Sequence, residues 1–259
     1  MSSQTDRYPA ARGTARPAQA RPRSRRRRFV PPQHGAWAML VVPYLVGVLL
    51  VGPTWVHLPL LAAWMAGYLW SYYVFQALKS RRPGRYRPQL TLYSAVALPL
   101  VAVVAVARPA VLWYAPAYAF LVAVNAWYAW RRRERALGND LVAVLQSSLM
   151  VFVTATVAAE QPVELLGAFA ATLGYFAGTV WYVKTMIRER GNAAYRRWSV
   201  GYHLAAFLAA AWAGPVLAGF FGWLLLRAAV LPRLRLSPLH VGLVEIGNCV
   251  ALIAAILLM

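Results

Sequence analysis

Apolar positions along the chain gather into long runs, not into the alternation of a half-buried strand. The runs cover 36–52, 56–78, 90–107, 109–130, 139–159, 163–187, 198–214, 218–231 and 239–258. A helix needs about 20 mainly apolar residues to cross the hydrocarbon core, and several runs reach that length; 218–231 is short. The pattern predicts an all-α polytopic membrane protein with about nine transmembrane helices. Pro43, Pro99, Pro116 and Pro215 fall within runs and are expected to kink helices or mark their ends. No repeat of fixed period is visible.

Polar residues inside the runs are not scattered. A helix facing lipid on all sides would be apolar all round, so a polar stripe marks the side turned toward protein or a cavity. In the fifth run Asn139, Asp140, Gln146, Ser147 and Thr154 share an arc of roughly 120° at about 100° per residue. The second run aligns Tyr68, Tyr72, Gln76 and Lys79, and the fourth aligns Tyr114, Tyr118, Asn125 and Tyr128. The seventh offers Tyr195, Ser199, Tyr202 and, at the edge, His203. The end of the sixth, "WYVKTMIRERGN", puts Trp181, Lys184, Thr185, Arg188 and Asn192 within roughly 100°. Gly174, Ala177 and Gly178 continue that face inward, small residues that permit close helix approach. A lysine at a helix end can also snorkel, and polar stripes can also join helices. Several stripes directed toward one membrane side favour a shared cavity over packing alone.

Charge fixes the orientation. The 259 residues are 61% hydrophobic and 13% charged, with 27 Lys and Arg against 7 Asp and Glu. A nucleic-acid-binding domain would collect its basic residues on one soluble face; here they lie in clusters between apolar runs, as membrane orientation requires. Nine of them lie in residues 1–33, a tail rich in Arg, Pro, Ala and Gln that reads as disordered and cytoplasmic. Its "RRRRFV" looks like part of a twin-arginine signal, but no A-x-A cleavage pattern follows. The transmembrane domain is 34–259. With the N-terminus inside, nine crossings put every basic residue except Arg108 on the cytoplasmic side and the C-terminus outside. The expected location is the bacterial cytoplasmic membrane.

On that side Lys79, Arg81, Arg82, Arg132, Lys184 and Arg188 outnumber Asp140 and Glu189, an excess that favours an anion. Candidate ligand-binding residues are Gln76, Lys79, Tyr72, Asn125, Asn139, Asp140, Gln146, Lys184, Thr185, Arg188, Asn192, His34 and His203. Lys79, Lys184 and Arg188 would hold a head group, Asn139, Asp140 and Gln146 would orient it, and the tyrosines beneath would line an apolar tail. Glu245 is an intramembrane acid sharing a face with Asn248 and Cys249. It is either a protonatable group in transport or a neutral carboxyl hydrogen-bonded to Asn248. Cys249 is the one cysteine, and His34, His57, His203 and His240 lack ligand spacing. No metal site, cofactor or catalytic residue is therefore assigned.

The segments "PPQHGAWAMLVVPYLVG", "GNDLVAV", "WYVKTMIRERGN" and "GYH" resemble the YwiC-like family of bacterial membrane proteins over about residues 30–210. That resemblance implies a multi-pass membrane protein and no particular activity. The architecture also looks like that of UbiA-type intramembrane prenyltransferases. Their active site, at the cytoplasmic ends of the second and sixth helices, implies Asp-rich motifs holding Mg²⁺ and a diphosphate. The corresponding places here, "YVFQALKSRRPGRYRP" and "YVKTMIRERGN", contain no aspartate, and the chain has only Asp6 and Asp140. Mg²⁺-dependent prenyl transfer is disfavoured, since Mg²⁺ requires hard oxygen ligands. Three functions remain: a pocket for an anionic lipid or isoprenoid-like ligand held without metal, a transporter of a small molecule or ion, and a membrane anchor or assembly partner for another enzyme.

Overall fold

The structure is a computed structural model that describes residues 29, 34–234 and 236–259. Apart from Phe29, the expected disordered tail, 1–33, lies outside the described residues, as does the His34 side chain.

Among these residues the fold is all α. The helices are α1 (His34–Val51), α2 (His57–Ser80), α3 (Arg87–Ala107), α4 (Ala115–Trp130), α5 (Leu137–Ser148), α6 (Met150–Ala158), α7 (Leu166–Ile187), α8 (Ala193–Ala213), α9 (Pro215–Val230) and α10 (Pro238–Leu257). Short 3₁₀ turns at Pro83–Tyr86, Pro109–Tyr114, Pro162–Leu165 and Leu231–Arg233 join or extend them. α5 and α6 adjoin at Leu149 and count as one membrane-length stretch. Six helical stretches are long and apolar enough to cross a membrane: 83–107, 109–130, 137–158, 162–187, 215–233 and 238–257. α1 is apolar but shorter.

Helix ends follow local chemistry. The Asn192 side chain accepts from the Tyr195 amide at 3.1 Å and starts α8. The Ser237 hydroxyl accepts from the His240 amide at the start of α10. Pro116 and Pro215 stand in first turns, where a missing N–H is tolerated, whereas Pro43 and Pro99 lie inside α1 and α3. The run expected at 198–214 begins earlier because Asn192 caps it and Arg196 and Arg197 are helical. The short run 218–231 is extended N-terminally to Pro215, after Gly214 turns the chain with φ +151°. α8 and α9 then run back along each other: the Phe207 ring lies 3.4 Å from where a Gly222 side chain would begin.

Junctions alternate between two ends of the bundle. At one end Lys79 of α2 pairs with Glu134, Lys184 of α7 donates to the Arg135 carbonyl at 2.6 Å, and Arg190 donates to the Leu236 carbonyl at 2.9 Å. At the other, Arg108 Nε donates to the Val157 carbonyl at 2.8 Å, and the His57 ring bridges Thr54 and the Thr154 carbonyl. Among the described residues, every Lys and Arg except Arg108 and the buried Arg227 lies in or beside a junction of the first, basic end. The largest core cluster joins α1, the α5–α6 rod, α7, α8, α9 and α10, with Tyr175, Leu224 and Leu252 fully enclosed. α3 and α4 are peripheral, and their outward Leu98, Val106 and Phe120 are exposed.

Candidate functional site

The polar stripes meet at the basic end, and they meet one another. Lys184 is buried, and its ammonium lies 2.7 Å from an Asp140 carboxylate oxygen. Lys79 lies 2.6 Å from a Glu134 carboxylate oxygen. Burial pushes the Glu134 carboxyl up, but the Lys79 hydrogen bond, Glu134's own backbone and the neighbouring charges outweigh it and hold the group below the usual carboxylate range. Asn139 donates to the Glu134 carbonyl at 2.9 Å, tying the α4–α5 turn to the first turn of α5. Gly138 sits where a side chain would meet the Tyr128 hydroxyl at 2.6 Å.

Deeper in, Asn125 donates to the Gln146 carbonyl oxygen at 3.1 Å, while its own Oδ1 has no protein partner. Gln76 donates to the Tyr72 hydroxyl at 2.9 Å, and Ser147 donates to the Met39 carbonyl. Thr185 turns back to the Trp181 carbonyl of its own helix, Arg188 is exposed, and Asn192 caps α8 while donating to Glu189. The structure thus joins Lys184 to Asp140, Lys79 to Glu134, Asn125 to Gln146 and Gln76 to Tyr72.

The face expected to unite Lys184 with Gly174 and Gly178 divides. Lys184 faces α5. A Gly178 side chain would begin 3.1 Å from the His203 and Tyr202 rings, and one at Gly174 would begin 3.5 Å from Phe221. Lys184 and Gly178 are six residues apart, about 120° around the helix, so they serve different neighbours.

A second polar centre lies among α7, α8, α9 and α10. Glu245 does not rest on Asn248 alone. Arg227, 1% exposed, donates from Nη1 to Oε1, and Asn248 donates to the same oxygen at 3.3 Å. Thr179 and Tyr175 donate to Oε2 at 2.9 and 3.2 Å. Four donors thus converge on one carboxylate, where the sequence suggested Asn248 alone. The Arg227 guanidinium stacks 4.1 Å from the centre of the Tyr182 ring. Its Nη2 approaches His203 Nε2 at 3.4 Å. His203 Nδ1 is 2.7 Å from the Ser199 carbonyl, which can only accept, so Nδ1 carries the hydrogen and Nε2 presents a lone pair to the arginine. Hence His203 belongs to this centre, apart from Lys184. Asn248 is held in turn by the Trp223 indole at 2.9 Å.

Arg227 is the residue that sequence reasoning missed, because it counts naturally with the loop arginines that follow. The available signal was its position: three apolar residues precede it and three follow, and the next run carries one unmatched acid.

The model of the YwiC-like protein family matches residues 30–155. An uncharacterized protein of Bacillus subtilis, YwiC, is 34% identical over 194 residues, covering 71% of this chain and 80% of that protein. An uncharacterized protein of Haemophilus influenzae is 34% identical over 216 residues, covering 82% of this chain and 90% of that one. No solved structure matches, which leaves the likeness to UbiA-type enzymes without support. The bacterial relatives, the apolar helices and the extent of the identity lead to one conclusion: the chain is a multi-pass membrane protein that belongs to the YwiC-like family.

Proposed function

We propose that this protein crosses the bacterial cytoplasmic membrane nine times, N-terminus inside and C-terminus outside, and binds an anionic amphipath at its cytoplasmic end without metal. The observation that carries this is how carboxylates are used at the basic end. Glu134 is taken by Lys79, Asp140 by Lys184, and Glu189 accepts from Asn192. What remains free is guanidinium, suited to a phosphate or carboxylate head group, not the carboxylate oxygens that a divalent cation needs. In this reading Lys184 and Lys79 brace the site through their internal pairs, and Arg188 and its neighbours meet the ligand. Native mass spectrometry of the full-length protein, offered anionic and zwitterionic lipids in equal amounts, tests it. Selective retention of the anionic lipid is expected; equal retention rejects the reading.

A carrier of a small molecule or ion is the second reading. It is favoured by the Arg227–Glu245–His203 centre, because buried ionisable groups in membrane helices commonly mark transport routes.

A further inference from the structure

The ends of α2 and α4 flank an open surface pocket of about 400 Å³ lined by Arg81, Trp130, Arg131 and Arg132, all of them exposed. Among the described residues none of the three arginines is in an ion pair. The Arg131 guanidinium lies 5.3 Å from the Trp130 ring centre and 5.5 Å from that of Trp127, so both rings help to orient it. Both indoles are about half exposed beside the pocket, as aromatic residues at the head-group level are.

We propose that this pocket is a phosphate site for the head group of an anionic phospholipid, an inference that rests on the lipid-binding reading above. Charge favours it. The two helix C-termini contribute about half a negative charge each, against three guanidinium groups, so the pocket keeps a net positive potential. Planar N–H forks match phosphate oxygens in a way that a lysine ammonium does not.

The simpler explanation is that these arginines only end helices and orient the protein. The backbone argues otherwise. Arg81 and Arg132 both adopt left-handed conformations, with φ of 54° and 56°. That region carries a steric cost for a residue with a Cβ and none for glycine, so a helix stop alone would be better made by glycine. Positive charge for orientation is already supplied by Arg82, Arg85, Arg133 and Arg135, at positions without positive φ. At Arg81 and Arg132 the side chain is retained against the backbone preference, and both side chains line the same pocket.

This geometry supplies its own control. Arg81→Gly and Arg132→Gly remove the guanidinium groups while relieving the backbone, so loss of binding cannot be assigned to misfolding. The experiment titrates full-length protein in neutral detergent with short-chain phosphatidylglycerol, phosphatidylcholine or inorganic phosphate, following tryptophan fluorescence and the unfolding midpoint. Phosphatidylglycerol is expected to bind more tightly than phosphatidylcholine. The Arg81→Gly/Arg132→Gly variant should weaken phosphatidylglycerol at least tenfold with an equal or higher midpoint. Unchanged phosphatidylglycerol affinity in that variant overturns the pocket while leaving the lipid-binding reading intact. No preference in the wild type overturns that reading, and the pocket with it. Saturation by inorganic phosphate that phosphatidylglycerol does not displace overturns the lipid head group in favour of a soluble anion.

Discussion

Arg227 and Glu245 show how a membrane interior holds charge. Neither group is tolerable alone in an apolar bundle; together, with Thr179, Tyr175, Asn248 and the Tyr182 ring around them, they form a neutral cluster. Breaking a buried pair from one side costs about 3–5 kcal/mol, whereas replacing both partners by apolar residues is often neutral. Arg227→Leu is therefore expected to lower the unfolding midpoint in detergent sharply, and Arg227→Leu/Glu245→Leu to recover most of it. A double variant no better than the single one would show that the pair is not the reason Arg227 is needed. At this scale the sequence was partly legible. Glu245 stood out as an intramembrane acid, because one carboxylate in an apolar run is visible locally. Its partner was not, because helix periodicity defines faces within a helix and is silent on which faces meet.

The helices themselves were legible to within a few residues at most ends, because hydropathy reports where a helix can lie in lipid. Less legible were events that depend on contact, such as the interruption at Leu149 and the division of the α7 face between α5 and the α8–α9 pair. The contact of α1 with α6 is of the same kind. A side chain added at Gly47 would begin 1.8 Å from Thr154 Oγ1 and 3.1 Å from the Val151 carbonyl, so the helices approach with no room for a methyl. Gly47→Ala is expected to destabilise the protein by about 1–3 kcal/mol, the usual range for overpacking, and Thr154→Ala in the same chain to recover part of that. Thermal unfolding of the two variants checks both; an unaltered midpoint for Gly47→Ala would mean that α1 can shift freely.

Over the whole molecule, the charge pattern and the contacts between junctions give the same division into two ends. Clusters such as Arg131–Arg135 and Lys184–Arg197 were placed on one side from sequence by the positive-inside rule, and the structure brings their junctions together through side-chain contacts. The fate of the lysines was not legible from charge counting, since a count of cations gives no information on which carboxylate each one reaches. Orientation is open to a direct check in a Cys249→Ala background, with cysteines introduced singly at Arg133 and Glu164. A membrane-impermeant maleimide applied to intact cells is expected to label Glu164→Cys at once and Arg133→Cys only after permeabilisation. The reverse pattern would invert the molecule.

The Arg227–Glu245 pair also bears on the order in which the polypeptide enters the membrane. α9 carries the arginine and α10, which follows it in synthesis, carries the carboxylate. An arginine costs about 2.5–3.5 kcal/mol to insert at a helix centre and less toward a helix end; Arg227, in the last turn of α9 but almost wholly buried, still needs a partner. While α10 is still in the ribosome, α9 has only Tyr182 and the His203 lone pair to meet its guanidinium. α9 and α10 are therefore expected to settle in the membrane together, the carboxylate carried by α10 completing the surroundings of the arginine carried by α9.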